Sequence, residues 1–203
     1  MQLIGMLDSP YVRRTGISLR LLGVPFEHQS ISVFRTFEQF SSINPVVKAP
    51  TLVCDDGTVL MDSNLIIDYA ESLAGRSLLP ANVDVRRQAL RVVGLGLAVC
   101  EKAIQIVYEH NLRPEEKWHE PWLTRVTGQL HAALTGLEAE VTRFPLSADE
   151  RSMTQAGITS AVAWRFVQEK VPQVVPATSY PRLVAYSAAA ERSAAFKALP
   201  YQE

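Results

Sequence analysis

A proline stands directly before an apolar, strand-like run in Asn44-Pro45-Val46-Val47-Lys48-Ala49-Pro50-Thr51-Leu52, and few positions in a fold tolerate that arrangement. Proline has no N–H to give to a ladder, so it belongs at the first residue of a strand, at a bulge or on an edge, and X-Pro bonds are the ones that adopt cis with any frequency. Pro50 therefore marks the mouth of a strand. A cis bond at that point would turn the Ala49 N–H and C=O out of the sheet, leaving a short backbone edge able to pair with an extended, peptide-like ligand.

The elements around this mouth change character near residue 80. Before it, residues 2–7 read as a strand, 10–22 as a helix, and 26–33 as a half-buried strand in which Phe26, His28, Ser30 and Ser32 alternate with Glu27, Gln29, Ile31 and Val33. A second helix covers 34–42. Residues 51–54 and 58–61 form a hairpin across Asp55-Asp56-Gly57, and a helix over 63–73 is closed by Gly75. The order is βαβαββα, in a first domain of residues 1–78. After the Leu79-Pro80 breaker and a linker over 79–83, the pattern is helical from 84 to 203. Val85, Ala89, Val92, Val93, Gly96, Val99, Cys100, Ala103 and Val107 recur at helical spacing until Pro114. Further helices span 122–142, with Val126, Leu130, Leu134, Leu137 and Val141 inward, then 155–170, then from Tyr180-Pro181 to Arg192.

Composition narrows the function classes. With 203 residues, 47% hydrophobic and 20% charged, the chain can bury a substantial core. Twenty basic against twenty-one acidic residues give a formal net charge of −1, which offers no long-range attraction to nucleic acid or to an anionic membrane. The apolar pentad Leu3 to Leu7 is too short for a signal segment, and Arg91, Glu101 and Lys102 interrupt the longest apolar stretch. Neither export nor a membrane span is expected, and a cytoplasmic location fits. Cys54 and Cys100 form no CxxC pair and read as small core residues. The four histidines, His28, His110, His119 and His131, have no ligand spacing among them, so no metal is expected.

Two helix beginnings invite a closer look. Ser9-Pro10 is a serine N-cap followed by proline at N1, one of the commonest ways to start a helix. The same place carries unpaired N–H groups and a partial positive charge, so an anion beside it is stabilised. Asp62-Ser63 repeats both readings at a second helix mouth: a plain cap, or donors able to receive a carboxylate.

Four motifs in this order make the chain similar to the glutathione S-transferase family over essentially its whole length: Ser9-Pro10-Tyr11-Val12-Arg13, Asn44-Pro45 through Ala49-Pro50-Thr51-Leu52, Asp62-Ser63, and Tyr180-Pro181-Arg182-Leu183. The resemblance implies a thioredoxin-like, glutathione-binding N-terminal domain followed by an all-α C-terminal domain. It implies a transferase of the serine-type bacterial kind, with a detoxification role, a homodimer in the cytoplasm, and glutathione as co-substrate. It puts the catalytic residue at Ser9, whose hydroxyl would donate to the glutathione thiolate as a preorganised donor does to an oxyanion. Ser63 would meet the γ-glutamyl carboxylate and Asp62 its α-amino group; Ala49, beside Pro50, would pair its backbone with the cysteinyl unit; Lys48 would reach the glycyl carboxylate. Tyr11, Tyr108 and Trp118 are candidates for the pocket of a small, largely apolar electrophile, each equally suited to interface packing. Arg13 and Arg14 are expected in subunit or ion-pair contacts, and Trp164 in the core. The competing class is a protein of the same fold that binds without turnover, acting as a regulatory partner. One departure concerns stability: Thr154-Gln155-Ala156-Gly157 lacks the acidic residue that completes a capping box, so Gly157→Asp is expected to raise the unfolding midpoint.

Overall fold

Four short strands form one sheet in the first of the chain's two units, which consists of Met1–Leu78 and the segment from Ser193 onward. The computed structural model describes residues 1–202. Strand β1 (Gln2–Ile4) lies parallel to β2 (Glu27–Gln29) and antiparallel to β3 (Thr51–Val53), which pairs antiparallel with β4 (Val59–Met61), giving the order β2-β1-β3-β4. Helices α1 (Pro10–Leu22) and α3 (Ser63–Ala74) pack together. Ile4, Ile31 and Phe40 form a buried cluster with Val47, Ala49 and Val53 against it, and Phe40 belongs to α2 (Phe37–Ile43). This is the expected βαβαββα domain.

Several elements are shorter than their patterns. The strand expected over 2–7 stops at Ile4 because Gly5 takes φ 139°, a conformation open to glycine and rare for other residues. The strand expected over 26–33 pairs only through Gln29. The chain then turns on Ser32, whose hydroxyl accepts from the Phe34 and Arg35 N–H groups, while the Thr36 hydroxyl donates to the Ser32 carbonyl. That turn uses up the first residues of the helix expected at 34, so α2 begins at Phe37. The hairpin turn lies as expected, with Gly57 at φ 85° and the Asp56 carboxylate accepting from the Thr58 N–H. Gly75 closes α3 at φ 62°.

The second unit, Leu79–Arg192, is helical. Asn82 caps the 30-residue α4 (Val83–Leu112) by accepting from the Asp84 and Val85 N–H groups. It packs against α5 (Glu120–Arg143) and α6 (Gln155–Lys170), and α7 (Pro181–Ala190) packs on α6. Helix α6 is buried from Gln155 to Trp164, and its polar residues Arg165, Gln168, Glu169 and Lys170 carry the exposure it has. At its crossing with α4 a Cβ on Gly96 would lie 2.8 Å from Thr159 Cγ2, so glycine permits the close approach. Trp164 is core, with its ring edge on Tyr180 at 5.8 Å. Cys54 and Cys100 are both buried and unoxidised.

Two expectations are corrected. The helical domain does not run to residue 203: from Ser193 the chain joins the first unit, where a short helix α8 (Ala194–Lys197) packs on α1. Phe196 is fully buried beneath the Arg13 guanidinium, 5.4 Å from its centroid, Arg13 Nε donates to the Leu199 carbonyl at 2.9 Å, and Leu199 lies over Gly16. The second concerns Gly157. A Cβ there would overlap the Tyr186 hydroxyl, which is itself buried and donates to the Ser147 carbonyl at 3.2 Å. That close approach opposes a side chain at 157, so Gly157→Asp is expected to lower the unfolding midpoint, the reverse of the expected gain.

Candidate functional site

Three segments of the first unit are tied together at the end of β1. Helix α1 starts at Ser9, with φ −68° and ψ 122°, whose Oγ accepts from the Val12 N–H at 3.4 Å, and Pro10 occupies the position that needs no N–H donor. The second segment is 44–50. Asn44, 2% exposed, organises it: the side-chain oxygen accepts from the Val46 N–H at 3.0 Å, and the amide nitrogen donates to Thr51 Oγ1 at 2.8 Å. Thr51 Oγ1 in turn donates to the Lys48 carbonyl at 2.7 Å. Val47 is held at φ 53°, where branched side chains seldom sit, and its N–H bonds the Asn44 carbonyl at 2.9 Å. The Ala49-Pro50 bond is cis. The third segment is the start of α3, where Asp62, at φ 75°, accepts from the Asn64 N–H at 2.9 Å.

Each pair of segments has its own connection. A Cβ on Gly5 would meet Val12 at 2.5 Å and the Ala49 methyl at 3.3 Å, so glycine lets the first turn of α1 and the Lys48–Pro50 turn close on the end of β1. Lys48 Nζ lies 3.3 Å from Asp62 Oδ2, joining that turn to α3. Arg14 Nη1 donates to Ser63 Oγ and to Asn64 Oδ1, both at 2.8 Å, joining α1 to α3. Burial pushes the Asp62 carboxyl upward, but the Asn64 N–H, the Lys48 ammonium and the Arg14 charge outweigh it and hold it below the ordinary carboxylate value. The arrangement offers a carboxylate, an ammonium, two serine hydroxyls and two helix N-termini, a set suited to a ligand carrying charges of both signs.

Sequence reasoning therefore brought Ser9, Lys48, Ala49, Pro50, Asp62 and Ser63 into one neighbourhood of one unit. It missed Asn44 and Arg14. Asn44 lay inside a quoted motif yet received no role, although Asn before Pro followed by a strand is a turn signal. Arg13 and Arg14 were expected in subunit or ion-pair contacts; both are buried within the first unit, Arg13 on the terminal segment and Arg14 on α3. Their burial was not readable locally because the partners that cover them, the Leu199 carbonyl and the first turn of α3, lie far along the chain.

The aromatic candidates divide between the units. Tyr11 is half-buried in the first turn of α1. Tyr108, on α4, is 43% exposed. Trp118 is tied locally: its indole N–H donates to the Arg113 carbonyl at 3.1 Å and its ring lies on His110 with centroids 4.4 Å apart. Among the described residues no three His, Cys, Asp or Glu side chains are grouped to hold a metal ion, and no helix is long and apolar enough to cross a membrane. Cys54 sits at the far end of β3 from Pro50, where burial and the Asp56 and Asp55 charges push its thiol up against a partial offset from Tyr69.

Comparison with known proteins agrees with this geometry. Residues 3–78 match the family model for the glutathione S-transferase N-terminal domain. Over 165 residues, 81% of this chain and 81% of the relative, the chain is 26% identical to the uncharacterized GST-like protein YibF of Escherichia coli strain K12. Two solved structures are 25% identical. One is a glutathione transferase family member from Pseudomonas fluorescens Pf-5 with bound S-(propanoic acid)-glutathione, with a TM-score of 0.81 over 100% of this chain and 97% of that one. The other, a glutathione S-transferase from Methylobacterium radiotolerans JCM 2831 in complex with glutathione sulfonate, has a TM-score of 0.86 over 100% and 95%. Residues 3–78, over a third of the chain, match the glutathione S-transferase N-terminal domain, and the full length matches the architecture of solved glutathione transferases, which supports a member of the glutathione S-transferase family.

Proposed function

We propose that this protein is a serine-type glutathione transferase that joins the glutathione sulfur to a small, largely apolar electrophile. The observation that carries the reading is the three-way junction of the α1 start, the Lys48–Pro50 turn and the α3 start, connected through Gly5, the Lys48–Asp62 pair and Arg14. Its donor set fits the tripeptide end to end. Asp62, kept ionised, takes the α-ammonium of the γ-glutamyl unit, and Ser63 with the α3 N-terminus takes the α-carboxylate. Ala49, half-exposed at the strand mouth beside Pro50, offers backbone to the cysteinyl unit, and Lys48, half-exposed, reaches the glycyl carboxylate. The similar structures solved with S-(propanoic acid)-glutathione and with glutathione sulfonate support a ligand of the glutathione type.

Glutathione supplies the sulfur nucleophile. Ser9 stabilises the sulfur in its anionic form: its oxygen already accepts from the Val12 N–H, so its own O–H is the group left to donate. The α1 N-terminus adds a partial positive charge, and each pKa unit removed from the thiol corresponds to about 1.4 kcal/mol of preference for the anion. A disulfide-exchange chemistry has no support at this place, since α1 begins with serine and Cys54 is raised, not lowered, in pKa. Cytoplasmic residence, a homodimer and a role in detoxification follow from the family alone.

The test measures glutathione affinity, the pKa of the bound thiol and conjugation of a panel of electrophiles, in wild type and Ser9→Ala. The expected result is conjugation by wild type, with Ser9→Ala retaining affinity while the thiol pKa rises by about one unit or more and turnover falls at least about tenfold. Full activity with an unchanged thiol pKa would remove Ser9 from its role. Tight binding by wild type with no conjugation of any electrophile would make the protein a binding module instead.

A further inference from the structure

Arg14 occupies a place where a charge is costly. Its side chain is 2% exposed on the inner side of α1, and a guanidinium is kept there only when its N–H groups are used. Nη1 reaches the first turn of α3, 2.8 Å from both Ser63 Oγ and Asn64 Oδ1. A guanidinium has donors only, whereas a serine hydroxyl has one donor and two acceptor sites. In this bond Ser63 is therefore the acceptor, and its O–H is directed away from Arg14. Accepting a charge-assisted bond also polarises the hydroxyl and strengthens it as a donor. The same Asn64 whose side chain Arg14 holds donates its N–H to the Asp62 carboxylate, so one guanidinium braces the turn that carries both polar groups of the α3 mouth.

Resting on the glutathione reading above, we propose that Arg14 is a positioning residue for the γ-glutamyl end: it fixes the Ser63 oxygen and commits that hydroxyl to donation toward the ligand's α-carboxylate. Lysine would replace it only in part: an ammonium keeps the charge but not the planar guanidinium that sets Nη1 between the Ser63 and Asn64 oxygens.

Two ligands on one protein separate positioning from general structural support. Dissociation constants are measured by calorimetry, directly or by displacement, for glutathione and for 4-aminobutanoyl-cysteinyl-glycine, which lacks only the α-carboxylate. In Arg14→Met, glutathione binding is expected to weaken about ten- to a hundredfold, the range of a hydrogen bond to a charged group. Binding of the decarboxylated analogue changes by less than about twofold. Arg14→Lys shows the same selectivity with a smaller loss, and it decides alone if the methionine variant does not fold. Equal losses for both ligands, or no loss for glutathione, overturn the positioning role while leaving the glutathione reading standing. A wild-type protein that binds neither ligand overturns that reading and this inference together.

Discussion

Gly157 and Tyr186 offer a prediction in which two opposing effects have comparable size and the structure decides the sign. Replacing a helical glycine by alanine gains about 1 kcal/mol of propensity, and Gly157 lies in the first turn of α6, where Thr154 makes no side-chain cap bond. Against that gain stands the Tyr186 hydroxyl, which a new Cβ would overlap. Burial pushes the Tyr186 hydroxyl's pKa up, so it stays a neutral donor to the Ser147 carbonyl. Displacing it forfeits a hydrogen bond of about 0.5–1.5 kcal/mol and adds overpacking of about 1–3 kcal/mol. Gly157→Ala should therefore destabilise by about 0.5–3.5 kcal/mol, with a melting shift of about 2–4 °C per kcal/mol for a chain of this length. In a Tyr186→Phe background the overlapping atom is gone. The next neighbours of that Cβ, Tyr186 Cζ at 3.4 Å and Met153 Cγ at 3.5 Å, are at ordinary contact distance. There the same substitution should be neutral or stabilising by up to about 1 kcal/mol. Urea unfolding of wild type, both single variants and the double variant gives a coupling of at least about 1.5 kcal/mol on this account. Additivity within about 0.5 kcal/mol would refute it, and would mean that the ring swings aside at no cost.

Two further outcomes follow from the first unit. Phe196→Ala should cost about 3 kcal/mol or more, as for a fully buried aromatic side chain, and hydrogen exchange in α1 should rise with it; a loss below about 1 kcal/mol would show that the terminal segment frays independently of α1. Asp62→Asn keeps the α3 cap but removes the charge. Because the folded pKa of Asp62 is depressed, its contribution to stability is present above the unfolded value of about 3.9 and is lost as pH falls through the lower folded value. The urea midpoint of wild type should exceed that of the variant at neutral pH and converge on it in acid, and a difference that stays constant from pH 7 to pH 2 would contradict the sign.

Long periodic segments were legible because burial of one stripe is a sequence-local statement. The inward positions of α5, Val126, Leu130, Leu134, Leu137 and Val141, are all buried, and α6 spans the expected 155–170. The junctions were less legible. Strand β2 was overextended because alternation continues through Val33, while the turn that ends it depends on hydroxyls of Ser32 and Thr36 choosing backbone partners over the ladder. Residues 193–199 were assigned to the helical half by proximity along the chain. Nothing local to Phe196 or Leu199 announces that their partners are Arg13 and Gly16, more than 180 residues away.

The same limit governs the candidate site, and it explains why its chemistry could be suspected at two serines but its wiring could not. Ser9 and Ser63 both stand at helix beginnings, and both have an oxygen that accepts from a protein donor, which leaves the O–H as the group to donate. For Ser9 the donor is the Val12 N–H, three residues on, so cap and site share one sequence signature. For Ser63 the donor is Arg14, 49 residues back and buried. A cap motif alone describes the helix. At Ser63 the acceptor side is filled by a distant side chain, and that contact is set by the packing of α1 on α3.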